Sequence, residues 1–185
     1  RRTKDGTATA QSSSLCRSTA ARRAGERISA LLSLQATSRR RKQLTMALPI
    51  DAHADKIAEH VARHRVTVIH GETGCGKSSR VPLILLEADP DAKMFVSQPR
   101  RIAARALCDR VRDTHSDPDD IALRLGHGVR DEALDARIIF VTCGYLVRLV
   151  AHHPESLREH SHVIVDEVHE RTVDADILCL LVRRL

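Results

Sequence analysis

Residues 66–78 read Val-Thr-Val-Ile-His-Gly-Glu-Thr-Gly-Cys-Gly-Lys-Ser, a β-branched run that gives way at Gly71 to a complete G-x-x-x-x-G-K-[ST] pattern. The context matters, because a strand before such a loop and a helix after it are what a phosphate cradle requires. Glycines at 71, 74 and 76 reach backbone angles that a Cβ resists, so the N–H groups of Gly71, Glu72, Thr73, Gly74, Cys75 and Gly76 can turn inward as a concave anion site. A helix expected to begin near Gly76 points its free N–H groups and positive dipole end at the same place. Lys77 then offers a mobile charge to the β and γ phosphates of a nucleotide. Ser78 offers a hydroxyl to Mg²⁺, and Ser79 follows it on the same turn.

A second segment completes the chemistry. Residues 163–171 read Val-Ile-Val-Asp-Glu-Val-His-Glu-Arg. Asp166, at the end of an apolar strand-like run, is placed to hold Mg²⁺ through its water shell, and Glu167 to polarise an attacking water at the same metal. His169, Glu170 and Arg171 crowd that edge. Either pattern alone occurs in ordinary α/β proteins. Both together, each after an apolar run and in this order, point to nucleotide hydrolysis.

Two further groups fall at strand ends. Ser97-Gln98-Pro99-Arg100-Arg101 follows Met94-Phe95-Val96, and Thr142-Cys143-Gly144 follows Ile138-Ile139-Phe140-Val141. In an open α/β sheet the carboxyl ends of the strands share one crevice, so both groups are expected beside the phosphate loop. Arginines and a hydroxyl there suit the phosphate oxygens of a polymer backbone, which position a strand without reading its bases. Taken alone, Arg100 and Arg101 read equally well as a solvated helix start.

At these residues the chain resembles a known family. Gly-Glu-Thr-Gly-Cys-Gly-Lys-Ser (71–78), Gln-Pro-Arg-Arg-Ile-Ala-Ala (98–104), Thr-Cys-Gly-Tyr-Leu-Val-Arg (142–148) and Asp-Glu-Val-His-Glu-Arg (166–171) are similar to motifs I, Ia, Ib and II of the DEAH-box (DEAH/RHA) helicases, in family order and spacing. The resemblance runs from about Leu48 onward and covers the first RecA-like domain of that family. It implies an α/β, RecA-like P-loop NTPase domain belonging to an ATP-dependent, 3′-to-5′ RNA helicase or RNA-protein remodelling enzyme. It implies ATP and Mg²⁺ handling for Lys77, Ser78, Asp166 and Glu167, and coupling of the nucleotide and RNA sites for His169. Contact with single-stranded RNA is implied for Arg100, Arg101 and Thr142, with Gly144 and Arg148 in the same set. Arg110 resembles the arginine that stacks on adenine, a cation–π contact that needs no base-specific hydrogen bond. The resemblance also implies a second RecA domain as partner, so this chain would hold half of an active site and be nearly inert alone. Departures from the family are Ser79-Arg80 where Thr-Gln is common, His127 where Tyr is frequent, and Ala54 near the place of an arginine.

Composition divides the chain. Residues 1–45 hold eleven Lys/Arg against Asp5 and Glu26, a net +9, whereas residues 46–185 hold nineteen against twenty-two and carry −3. The basic pI therefore belongs to the tail, and the RNA-binding case rests on the local patch of Arg100, Arg101 and Arg148. The tail, rich in Arg and Ser, is expected to be disordered. It reads as an RNA-binding arm, an organellar transit peptide, or sequence outside the mature protein, with Met46 as an alternative start. Residues 46–185 are expected to form one RecA-like domain, truncated after motif II. With two Phe, one Tyr and no Trp, the core must rest on aliphatic residues, and no aromatic platform for bases is apparent.

Cysteines at 16, 75, 108, 143 and 179 form no C-x-x-C pair, which argues against a zinc ribbon or a disulfide framework and for an intracellular setting, cytoplasm or nucleus. The eleven histidines lack companions at metal-ligand spacing. No apolar run approaches the roughly twenty residues a bilayer span needs, so no membrane partner is expected. Apolar periodicity predicts helices over about 51–64, 76–87, 101–112 and from Asp174 onward. Strands are predicted at 66–70, 93–97, 122–125, 138–142 and 163–166, giving a mostly parallel sheet covered on both faces. Two functional readings stay open: an enzyme fragment, or a non-enzymatic module that binds nucleotide or RNA as a scaffold.

Overall fold

Pairing between neighbours turns the apolar runs into one sheet. In the computed structural model, which describes residues 48–126, 128–130 and 135–184, the strands are β1 (Met94–Gln98), β2 (Ile121–Leu125), β3 (Val129–Arg130), β4 (Ile138–Thr142) and β5 (His162–Val165). Their order is β3-β2-β4-β1-β5, with β2, β4, β1 and β5 parallel and β3 antiparallel to β2. The tail expected over residues 1–45, and His127, lie outside the described residues.

Successive side chains alternate faces, and here both faces are covered, which is why the strands read as unbroken apolar runs. Met94 and Val96, Ile138 and Phe140, and Ile121, Leu123 and Leu125 share one face. They pack against α1 (Ala54–Arg63), α2 (Lys77–Ala88) and α3 (Arg101–Thr114), through residues such as Ile57, Val81, Leu85, Cys108 and Val111. Phe95, Ile139, Val141 and Ala122 face the other way, onto α4 (Cys143–His152) and α5 (Val173–Arg184) through Leu146, Val150, Ala175 and Leu178. The expected mostly parallel sheet with helices on both faces is therefore present.

The parallel register fixes the working rim. Gln98 lies opposite Thr142 and Ser97 opposite Val165, so β1, β4 and β5 end side by side. The opposite rim is tied by Asp120, which accepts from Arg137 Nε and Nη2 at 2.8 and 2.7 Å and contacts His115 Nε2 at 2.9 Å. Arg137 Nη1 also donates to the Pro90 carbonyl. This hub joins the end of α3, the turn before β2 and the start of β4.

One expectation needs correction. Residues 66–70 form no strand. The segment keeps an alternating burial pattern, with Thr67 and Ile69 turned inward and Val66 and Val68 72% and 86% exposed. A strand, however, is defined by its ladder, and none of the described strands pairs with this segment; β5 pairs only with β1. Instead the segment is held by Ile69 packing on the core, by a His60–Thr67 hydrogen bond of 3.1 Å and by Arg65 donating to the Arg183 carbonyl. Pro82 lies within α2. It is the sixth residue of α2, beyond the positions whose N–H groups are free in any case, so it removes the N–H that would bond the Ser78 carbonyl.

Candidate nucleotide site and the strand-end rim

Gly76 carries the junction between loop and helix. Its φ of 100° is left-handed, and a Cβ there would lie 2.7 Å from Leu48 Cδ1 and 3.2 Å from Ile50 Cγ2. Backbone angle and close packing thus both demand glycine. The 48–50 segment closes on the loop through the Ile50 N–H, which donates to the Cys75 carbonyl at 3.2 Å. Arg80 Nε meets Asp51 Oδ1 at 2.5 Å, pinning the 3₁₀ turn Pro49–His53 to α2. Burial pushes the Asp51 carboxyl up, but the Arg80 hydrogen bond, the Leu48 N–H and the Arg80 charge outweigh it and bring it below its ordinary value. The departure at Arg80 therefore has a structural partner in Asp51.

Lys77 opens α2, as expected, but its ammonium turns back into the loop. Nζ donates to the carbonyls of Gly71 and Glu72, each at 2.7 Å, and lies 3.6 Å from Cys75 Sγ. The cradle is closed around its own cation. A phosphate entering the cradle would have to draw Lys77 off these carbonyls, exchanging two neutral acceptors for anionic ones, which make the stronger hydrogen bonds. Ser78 and Ser79 follow on the first turn, with Ser79 Oγ donating to the Gly76 carbonyl at 3.4 Å. Glu72, Thr73 and Gly74 are exposed. A cavity of about 700 Å³ adjoins the loop, lined by residues that include His53, Lys56, His60, His70, Gly71 and Lys77.

At the end of β5 the backbone is unusual. Glu167 and Arg171 take φ of 52° and 50°, left-handed values for residues with side chains, on either side of the 3₁₀ turn Val168–Glu170. Such conformations cost of order 1–3 kcal/mol each and gather at functional sites. The Asp166 carboxylate is held at both oxygens: Oδ1 accepts the Glu167 N–H at 2.9 Å, and Oδ2 accepts Gln98 Nε2 at 2.5 Å. Gln98 is only 3% exposed. His169 Nδ1 sits 3.2 Å from Glu167 Oε2, and Arg100 Nη2 reaches Glu170 Oε1 at 3.2 Å. Arg171 pairs with Asp176 at 3.0 Å.

The structure thus brings Asp166, Glu167, His169 and Arg100 to one rim, together with Gln98 and Glu170, which lie within the quoted motifs but were given no role there. Thr142 ends β4 on the same rim, where its hydroxyl accepts the Tyr145 N–H at 3.3 Å and caps α4. Gly144 is pressed against Asp174, whose Oδ2 would lie 2.6 Å from an added Cβ. Arg101 Nη2 donates to the Gly126 carbonyl at 3.3 Å, and Arg148 is exposed on α4. Arg110 stands apart, exposed on α3 and about 13 Å of helix rise beyond Arg101. Among the described residues no three His, Cys, Asp or Glu side chains gather as a metal site. None of the described helices is long and apolar enough to cross a membrane.

A parallel sheet with a glycine-rich loop leading into a helix, and an Asp-Glu pair at a strand end, defines the phosphate-loop class of nucleotide-binding domains. The comparisons give the family: a sequence model of the DEAD/DEAH box helicases matches residues 51–184, and the chain belongs to that family. The ATP-dependent RNA helicase DHX30 of Rattus norvegicus is 40% identical over 148 residues, 75% of this chain and 12% of that protein. The ATP-dependent RNA helicase DHX29 of Homo sapiens is 37% identical over 167 residues, 82% of this chain and 12% of that protein. The crystal structure of the Escherichia coli DEAH/RHA helicase HrpB superposes with a TM-score of 0.67 at 30% identity, over 74% of this chain and 18% of that one. The fold is the RecA-like domain of these helicases, and the chain spans about an eighth of the length of the curated relatives it matches.

Proposed function

We propose that residues 46–185 form the first RecA-like domain of an ATP-dependent RNA helicase, which binds ATP with Mg²⁺ and turns over only when a second RecA domain completes the cleft. The observation that carries this reading is the orientation of Asp166. A buried amide and a backbone N–H fix both of its oxygens at the rim, and Glu167 follows it immediately. A carboxylate so held suits a hard cation that keeps most of its waters and takes few protein ligands, with Ser78 as the other protein oxygen. Bound Mg²⁺ would neutralise charge on the phosphates.

The chain's own residues do the rest. Lys77 leaves the Gly71 and Glu72 carbonyls for phosphate oxygens. Glu167, once released from His169, orients the attacking water and accepts its proton. His169, paired with Glu167, links that carboxylate to the RNA side. Arg100, Arg101, Thr142, Gly144 and Arg148 form the surface for single-stranded RNA, through phosphates and sugars, and Arg110 stacks on the base. The free thiols of Cys75, Cys143 and Cys179 fit an intracellular, reducing setting, cytoplasm or nucleus.

The test is ATP turnover by this domain joined to a second RecA domain, with and without single-stranded RNA. Hydrolysis stimulated by RNA supports the reading. Nucleotide binding with no turnover under either condition overturns it in favour of a non-enzymatic scaffold.

A further inference from the structure

Residues 98–100 grip the Asp166–Glu170 segment at both ends. Gln98 holds the Asp166 carboxylate, and two residues later Arg100 holds Glu170. Between these grips lies the turn with left-handed Glu167, and left-handed Arg171 follows it. The two grips differ in character. The Gln98 amide is buried, whereas the Arg100 side chain is 74% exposed and meets Glu170 through a single contact of 3.2 Å.

We propose that Arg100 is shared between Glu170 and a backbone phosphate of single-stranded RNA, so that RNA arriving at the rim unlatches the turn carrying Glu167 and His169. The inference rests on the helicase reading above and assigns to Glu170 a positioning role that the motif comparison does not give it. An exposed ion pair shifts an equilibrium by no more than about fivefold, so Glu170 competes with a phosphate without excluding it. A guanidinium carries five donors in a fixed fork, and a phosphate engages two of them at once where Glu170 engages one. Loss of the outer grip leaves the turn tied by Gln98, by the internal Glu167–His169 pair and by Arg171–Asp176. A segment with two left-handed residues is poised to relax when a restraint is removed.

The experiment is a double-mutant cycle on this chain, read by the fluorescence anisotropy of a labelled 12-nucleotide oligouridylate at low salt. Glu170→Gln is expected to tighten RNA about threefold by releasing Arg100. Arg100→Gln is expected to weaken it about five- to tenfold, and adding Glu170→Gln to that variant is expected to change nothing further. Equal tightening in both backgrounds would reduce Glu170 to a repulsive charge and overturn the sharing; no response to Glu170→Gln, with Arg100→Gln still weakening, would do the same. Absence of RNA binding by the unaltered chain at any concentration would remove the RNA reading along with it. Amide exchange supplies the second readout: residues 168–171 should exchange faster when RNA binds, and faster in Glu170→Gln without RNA. Unaltered exchange in both cases contradicts the unlatching.

Discussion

Gln98 Nε2 donates to Asp166 Oδ2 at 2.5 Å, from a side chain almost entirely buried at the end of β1. The bond crosses between two adjacent parallel strands, and it aims the second oxygen of a carboxylate whose first oxygen is already held by backbone. Gln98→Met keeps the length of the side chain and removes the donor. ATP affinity in the presence of Mg²⁺ should fall about tenfold, as for loss of a hydrogen bond to a charged group, while affinity in EDTA should be little changed. Titration of ATP under both conditions checks this, and equal losses would deny Gln98 a part in metal handling.

Lys77→Ala removes the side-chain cation that donates to the loop carbonyls. Its two carbonyl contacts show that the ammonium reaches the centre of the cradle. Nucleotide affinity should drop by about one to two orders of magnitude, the worth of a charge-assisted contact. Unchanged calorimetric affinity would show that the loop does not hold phosphate.

Arg110→Ala tests the base contact separately. The residue is exposed on α3, away from the strand-end rim, so it is expected to weaken ATP several-fold and inorganic triphosphate not at all. Competition binding with both ligands decides the matter, and equal weakening of the two rejects stacking.

The Asp120 hub predicts how the fold responds to acid. The hydrogen bonds from Arg137, opposed by burial and aided by His115, hold the Asp120 carboxyl below its ordinary value. A carboxyl lowered in the folded state stabilises fully above its unfolded pKa of about 3.9, and that stabilisation is lost as pH falls through the lower folded value. Asp120→Asn should cost about 1–3 kcal/mol at pH 7 and flatten the acid limb of the stability curve, measured by urea unfolding from pH 7 to 3. An unaltered acid limb would assign the acid sensitivity to other groups.

Much of this was legible in the sequence because local rules and global fold agree. The apolar runs at 94–98, 138–142 and 162–165 had to be strands buried on both faces, and parallel order then placed Gln98, Thr142 and Asp166 at one rim. Residues 66–70 were misread for a physical reason: β-branched alternation reports an extended backbone, but a ladder also needs a neighbour. The Gln98–Asp166 and Arg100–Glu170 pairs span about seventy residues, and no local periodicity encodes them. A buried Gln at a strand end was the one available signal, since a buried amide must find a partner. Arg80 was visible as a departure from the family, while its reason, Asp51, emerged only when the 48–51 segment closed on the loop.

The most direct measurement is made on Glu167→Gln in this domain joined to a second RecA domain, with ATP binding and RNA-stimulated turnover recorded on the same sample. Glu167 lies beside the fixed Asp166 carboxylate and is needed, in this account, only for the attacking water. The predicted result is ATP affinity within about twofold of the unaltered protein and turnover lowered by at least about a hundredfold. Turnover retained at the unaltered rate would contradict the assignment of the 166–167 carboxylates as the hydrolytic centre.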